Sequence, residues 1–158
     1  MSVTELRERR AVGLDELDLP AQPAIVVAVD GRPASGDALA WAADEALCRG
    51  MKLRVVTAYA DPDHRYAPRS VEGAVELQRR LRRQVEPSRP WVEEADQIIR
   101  RGSIRSLLAE ALTPGDLLVV GEAADVSAMD PSLRPACPLV VVPVGEALDP
   151  SGEPAPRT

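Results

Sequence analysis

The chain has 158 residues, 45% of them hydrophobic and 28% charged, with a net charge of −6 and a pI near 4.9. Length and apolar content suit one domain with a real core, and the acidic balance argues against nucleic acid or an anionic membrane as partner. No apolar run approaches the about 18 residues of a membrane span.

The first residues, Ser2-Val3-Thr4-Glu5-Leu6-Arg7-Glu8-Arg9-Arg10, are charged with no apolar stretch behind them. They do not form a signal peptide, and a cytoplasmic location is expected. Thr4 could cap a short helix through Leu6 and Arg10, but Gly13, Pro20 and Pro23 interrupt any longer pattern. Residues 1–22 read as an arm or tail.

Ala24–Val29 is a short run rich in β-branched residues and apolar throughout. It suits a strand buried on both faces, which implies a parallel sheet with helices above and below. It ends in Asp30-Gly31, and the turn after such a strand is where open α/β sheets usually bind ligands. A helix follows from about Ser35 to Arg49, with Leu39, Ala42, Ala43, Ala46 and Leu47 as its buried stripe and Gly50 as its stop. Trp41 lies off the stripe and suits a half-buried anchor at the helix edge; a ligand stacker is the alternative.

Lys52–Ala58 alternates as a second strand, with Leu53, Val55 and Thr57 on one face and Arg54, Val56 and Ala58 on the other. A polar loop, Asp61 to Arg69, leads into a helix over Val71–Val85 with Val71, Ala74, Val75, Gln78, Leu81 and Val85 inward. Arg79, Arg80, Arg82 and Arg83 suit a solvated face near the helix C-terminus; a phosphate- or acid-binding patch is the sharper alternative. A third strand, at a sheet edge, falls within Val92 to Arg100, although the spacing of Val92, Ala95, Ile98 and Ile99 also fits a helix. Ser103 caps a third helix with the stripe Ile104, Leu107, Leu108, Ala111 and Leu112, stopped by Thr113-Pro114-Gly115-Asp116. Leu117–Val120, ending at Gly121, and Leu139–Val142, between Pro138 and Pro143, are the fourth and fifth strands. Residues 23–144 form the domain, and 145–158, rich in proline, read as a disordered tail.

Cys48 and Cys137 belong to no Cys-x-x-Cys pair, so no zinc site is expected; both read as buried thiols of a reducing compartment. The sole histidine, His64, reads as an exposed and inert loop residue. There is no Gly-x-Ser-x-Gly elbow, Gly-Lys-Ser/Thr loop or metal constellation, so no catalytic residue is assigned and an enzyme is the least favoured class. The order of elements implies an α/β fold, a single open parallel sheet with helices on both faces.

Ile25–Gly31 opening into Ala38–Ala43, then Leu53–Val56, Gly115–Gly121 and Cys137–Pro143, resembles the universal stress protein family in order and spacing. The resemblance implies five strands in the order 3-2-1-4-5 and, in many members, ATP at the switch point between strands one and four. Asp30 stands where the family's Asp contacts nucleotide, Ala58 where the end of the second strand meets adenine, and Gly121 at the first glycine of a phosphate loop of pattern G-x-x-G-x9-G-[S/T]. Gly31 and Arg32 complete the candidate nucleotide-binding set. The rest of the loop departs: Ala124, Arg134 and Pro135 stand at the second glycine, the third glycine and the Ser/Thr. Pro135 has no N–H to turn toward an anion, and Glu122, Asp125 and Asp130 would repel polyphosphate. Pro131 and Pro135 leave room for a fourth helix that is shortened or absent, so its N-terminal dipole is lost as well. Arg32 could reach a phosphate directly; the favoured reading is that it fills the vacated pocket and pairs with Asp30 or Glu122.

These features favour a non-catalytic protein without a cofactor, acting through homodimerisation or an unknown protein partner; the resemblance implies a part in the stress response. Loss of the fourth helix would bare apolar side chains on strands four and five. Leu139, Val140, Val141 and Val142, a short apolar edge strand, suit pairing with a second copy. An ATP- or AMP-binding regulatory module with an altered loop is the alternative.

Overall fold

The computed structural model describes residues 22–122 and 137–143. The expected arm, apart from its last residue, the connector from 123 to 136 with the expected shortened helix, and the expected tail lie outside the described residues. Strands β1 (Ala24–Ala28), β2 (Lys52–Tyr59), β3 (Asp96–Arg101), β4 (Leu117–Gly121) and β5 (Leu139–Val142) form one parallel sheet in the order β3-β2-β1-β4-β5. The helices are α1 (Ala34–Arg49), α2 (Val71–Val85) and α3 (Ile104–Ala111), with a 3-10 turn at Pro90–Glu94.

Alternate residues of the central strands enter opposite layers. Ile25, Val27, Leu117 and Val119 join Leu39 and Ala42 of α1 and Leu77 and Leu81 of α2. Val26, Leu118 and Val120 join Leu107 and Leu108 of α3 on the other side. A strand needed by both layers has no polar face, which is why these runs are apolar throughout.

Both longer helices bury most of the expected stripe and depart from it at one edge. In α1 the buried arc runs through Ala34, Ala38, Leu39, Ala42, Ala43 and Ala46. At about 100° per residue Leu47 falls past the edge of that arc and is 58% exposed. Cys48, expected to be buried, falls on the far side and is exposed. In α2 the arc centres on Ala74 and Leu81, which brings Leu77 inside and leaves Val71 and Val75 exposed. Gln78 is buried among apolar neighbours, where its amide nitrogen donates to Thr57 Oγ1 at 2.9 Å and to the Val55 carbonyl at 3.2 Å; this offsets part of the cost of burying it, its Oε1 having no partner.

The third strand begins later than Val92. Pro90 opens the 3-10 turn, Val92 is fully buried within it, and the Trp91 indole donates to the Ala43 carbonyl at 2.8 Å. β4 is buried at every residue and in β5 only Val141 is exposed; the connector on which the expected apolar patch depended lies outside the described residues. Ser103 caps α3 as expected, its Oγ accepting from the Ser106 amide. Gly50 ends α1 with φ of 64°, a conformation glycine adopts without strain.

The amino end of the sheet is fastened by one buried side chain. Asp116, 2% exposed, accepts from the Ala24 amide through Oδ1 at 2.9 Å and from the Thr113 amide through Oδ2 at 2.8 Å. The first residue of β1 and the turn before β4 are therefore held by the same carboxylate.

Candidate functional site at the carboxyl end of β1

β1 runs out at Ala28, and Val29 still donates to the Val56 carbonyl at 3.0 Å. Asp30 is thereby presented at the carboxyl edge of the sheet, where α1 begins. Its own amide donates to Ser35 Oγ at 2.8 Å, while Oδ1 accepts from the Arg32 amide at 2.8 Å and from Ser35 Oγ at 3.2 Å. These bonds fold the turn into α1 back onto the aspartate, in the manner of an Asx turn.

The loop after β2 closes over this turn. Ala60 takes a left-handed conformation with φ of 57° and donates to the Pro68 carbonyl, tying the two ends of the loop together. Asp61, 5% exposed, organises the interior: Oδ1 accepts from the Asp63 amide and Oδ2 from the Ile104 amide at the start of α3. The loop then delivers two groups to the end of β1. His64 Nε2 lies 2.9 Å from Asp30 Oδ2, with the two side chains only 14% and 15% exposed. The Tyr66 carbonyl accepts from the Gly31 amide at 3.1 Å.

His64 is thus not the exposed, unpartnered residue expected from the sequence. It was missed because its partner is remote in the chain. The available signal was placement: the loop after β2 opens at the same edge of the sheet as the turn after β1, and Asp61-Pro62-Asp63 is a turn-forming sequence.

Asp30, Gly31 and Arg32 are brought together as expected. The Arg32 guanidinium, however, does not pair with Asp30 or Glu122. Only its backbone amide reaches Asp30; its side chain lies over the Tyr66 ring, 4.6 Å from the centroid, because His64 already holds the carboxylate oxygen that faces the loop. Arg32 Nη1 is buried and has no hydrogen-bond partner. Ala58 is buried in the layer with α3, in register with Arg100 of β3, and β2 continues one residue beyond it. Gly121 answers to packing. A Cβ there would stand 2.6 Å from the Ala34 Cβ and 2.7 Å from the Ala34 carbonyl oxygen, so glycine lets α1 approach the end of β4. Ala124, Asp125, Asp130, Pro131, Arg134 and Pro135 lie outside the described residues.

Of the expected interface residues, Leu139 and Val140 are half-buried against the two layers, Val142 is buried, and Val141 is 43% exposed at the sheet edge. Cys137, just before β5, is half-buried. Burial, and then the Asp116 charge, push its thiol above the usual range, which disfavours the nucleophilic thiolate. Among the described residues no group of three acidic, histidine or cysteine side chains could hold a metal ion, and no helix is long and apolar enough to cross a membrane.

The fold and this edge define an open, parallel α/β domain whose ligand-bearing end would be the carboxyl ends of β1, β2 and β4. The universal stress protein family model matches residues 23–124, and the chain belongs to that family. Among solved structures it is similar to the universal stress protein from Archaeoglobus fulgidus in complex with dAMP, at 20% identity and a TM-score of 0.52 over 76% of this chain and 97% of that one. A universal stress protein in complex with cAMP matches at 21% identity and a TM-score of 0.51 over 78% and 98%. A further Archaeoglobus fulgidus universal stress protein structure matches at 21% and 0.52 over 82% and 99%. These likenesses establish the shared fold. The search of curated proteins gave no match.

Proposed function

We propose that this chain is a non-catalytic, cytoplasmic universal stress protein that works by association and does not hold ATP at the end of β1. The observation that carries this reading is the closure of Asp30 and Gly31 by the chain itself: the carboxylate is shared among the Arg32 amide, Ser35 and His64, and the Gly31 amide is spent on Tyr66. A nucleotide at the same position would have to replace each of these bonds, and buried polar groups left unmatched cost about 1–3 kcal/mol each. The departures of the loop after Gly121 from the glycine-rich pattern point the same way. Structural neighbours in complex with dAMP and cAMP keep nucleotide binding as the competing reading.

Association would use β5. It is the outermost strand of the sheet on its side, four residues long and apolar, with Val141 exposed. An unpaired strand edge of this kind is a template for a second strand, and a second copy of the chain supplies one with self-complementary side chains.

Two measurements test the reading. Calorimetric titration with ATP and magnesium, and separately with AMP, is expected to give no saturable heat; binding that disappears in Asp30→Ala would overturn it. Sedimentation at tens of micromolar is expected to give a dimer that Val141→Lys converts to monomer. A wild-type protein that sediments only as monomer would remove the association through β5.

A further inference from the structure

Beside the His64–Asp30 contact lies a cleft of about 330 Å³, lined by Arg32, Asp61, Asp63, His64, Arg65 and Arg69, with Pro62 as its one apolar wall residue. We infer that this cleft is a binding site for the phosphate group of a small ligand, held by Arg32, Arg65 and Arg69. The cleft shares Arg32 with the candidate nucleotide-binding set and adds Arg65 and Arg69 from the loop after β2, and the inference stands whether or not the β1 turn admits ATP.

Its three cations are gathered without an evident protein partner. Among the described residues Arg32, Arg65 and Arg69 make no ion pair, whereas Arg49, Arg54 and Arg89 are matched to Glu45, Asp96 and Asp44. The Arg32 and Arg65 guanidinia lie over the same ring, 4.6 Å and 5.8 Å from the Tyr66 centroid. The ring attracts both cations, and like charges gathered at one cleft repel each other. An anion in the cleft that all three line would offset that repulsion.

The second pointer is Arg32 Nη1, which is shielded from solvent and has no hydrogen-bond partner, so the side chain has to shift toward the cleft to give that nitrogen an acceptor. A guanidinium nitrogen shielded from water loses hydration and gains nothing in return unless an acceptor is supplied. The nearby carboxylates do not supply it. Asp61 has both oxygens committed to backbone amides, and Asp30 is committed to His64, Ser35 and the Arg32 amide. Asp63 lines the same cleft, is exposed and, among the described residues, makes no ion pair with an arginine.

The chemistry of the lining selects the ligand class. Planar guanidinium forks match the oxygens of a phosphate and can engage two at a time. The volume stands at the small end of ligand sites, and the lining has no tyrosine, tryptophan or phenylalanine face for a base. The fit is to inorganic phosphate or a small phosphomonoester.

The test follows the arginine side-chain N–H signals by NMR during titration of the full chain with inorganic phosphate, then with glycerol 3-phosphate, at constant ionic strength held with chloride. Saturable shifts at Arg32, Arg65 and Arg69 that chloride does not produce are expected. Arg32→Gln should weaken phosphate binding by about tenfold, the loss expected for one charge-assisted hydrogen bond. Arg69→Gln, at the exposed rim, should weaken it by about threefold and keeps the test alive if the Arg32 variant does not fold. Tighter binding of glycerol 3-phosphate would support a small phosphorylated metabolite; equal binding would support recognition of the phosphate group alone. Absence of a saturable response to either probe would overturn the assignment. So would shifts confined to the Asp30 and Gly121 amides, or affinities unchanged in both variants.

Discussion

The two ends of β1 are each governed by an aspartate, and they are built differently. At the amino end Asp116 bonds only to backbone amides, Ala24 and Thr113, and is 2% exposed. At the carboxyl end Asp30 bonds to one amide, a hydroxyl and an imidazole, and its side chain is 15% exposed. Main-chain partners cannot move away without unmaking the sheet, whereas side-chain partners on a loop can. The same residue type therefore serves as a permanent fastener at one end and as an exchangeable latch at the other. Ligand-facing chemistry belongs at the end where partners are exchangeable.

The largest effect that would sharpen this contrast is expected at the fastener. Asp116→Ala leaves the Ala24 and Thr113 amides without acceptors, the first of them buried. A loss of about 2–4 kcal/mol follows from two such groups, read as a lower urea midpoint in equilibrium unfolding. The Cys137 thiol gives an internal check: with the Asp116 charge gone, one of the two influences raising it is removed, and alkylation of Cys137 near neutral pH should quicken. A variant as stable as the parent would mean that the amino end is held by packing alone.

Next in size is the close approach between β4 and α1. Gly121→Ala sets a Cβ 2.6 Å from that of Ala34, and overpacking of this kind costs about 1–3 kcal/mol. The loss should appear in the purified protein with no ligand added, and Ala34→Gly in the same chain should recover part of it. Without that coupling, the glycine would answer to something other than the helix it touches.

How far the sequence revealed this molecule depended on how local the cause was. The strands of the central sheet were legible because a strand buried on both faces leaves an unbroken apolar run, as in Ala24–Ala28. The bounds of α2, Val71–Val85, were legible. Its rotation was not, because Leu77 and Val75 are equally apolar and only the neighbouring α1, β2 and β3 decide which turns inward. Leu47 and Cys48 misled for the same reason: α1 packs through alanines, so close approach outweighs side-chain size. At the site, Asp30 was visible as the acid that ends an apolar run. His64 was not, since it lies 34 positions away and neither residue carries a mark of the other. Gly121 was visible as a glycine, but its reason, contact with Ala34, is tertiary.

The smallest expected effect separates latch from fastener most cleanly. His64→Ala removes one polar contact to a carboxylate that keeps its bonds to Arg32 and Ser35, so global stability should fall by only about 1 kcal/mol. The informative readout is local. The Gly31 amide is bonded to the Tyr66 carbonyl on the loop that His64 holds in place, so its hydrogen exchange reports opening of that loop. The Ala24 amide is bonded to Asp116 and reports opening of the sheet itself. Regions that open locally exchange well before the core does. In the variant, Gly31 should exchange markedly faster while the Ala24 amide changes only by the global loss. Equal acceleration of both would mean that the loop and the sheet open as one unit, and Asp30 would then be as permanent a fastener as Asp116. Acceleration at Gly31 alone would make the histidine the part of the carboxyl end that a ligand or partner has to displace.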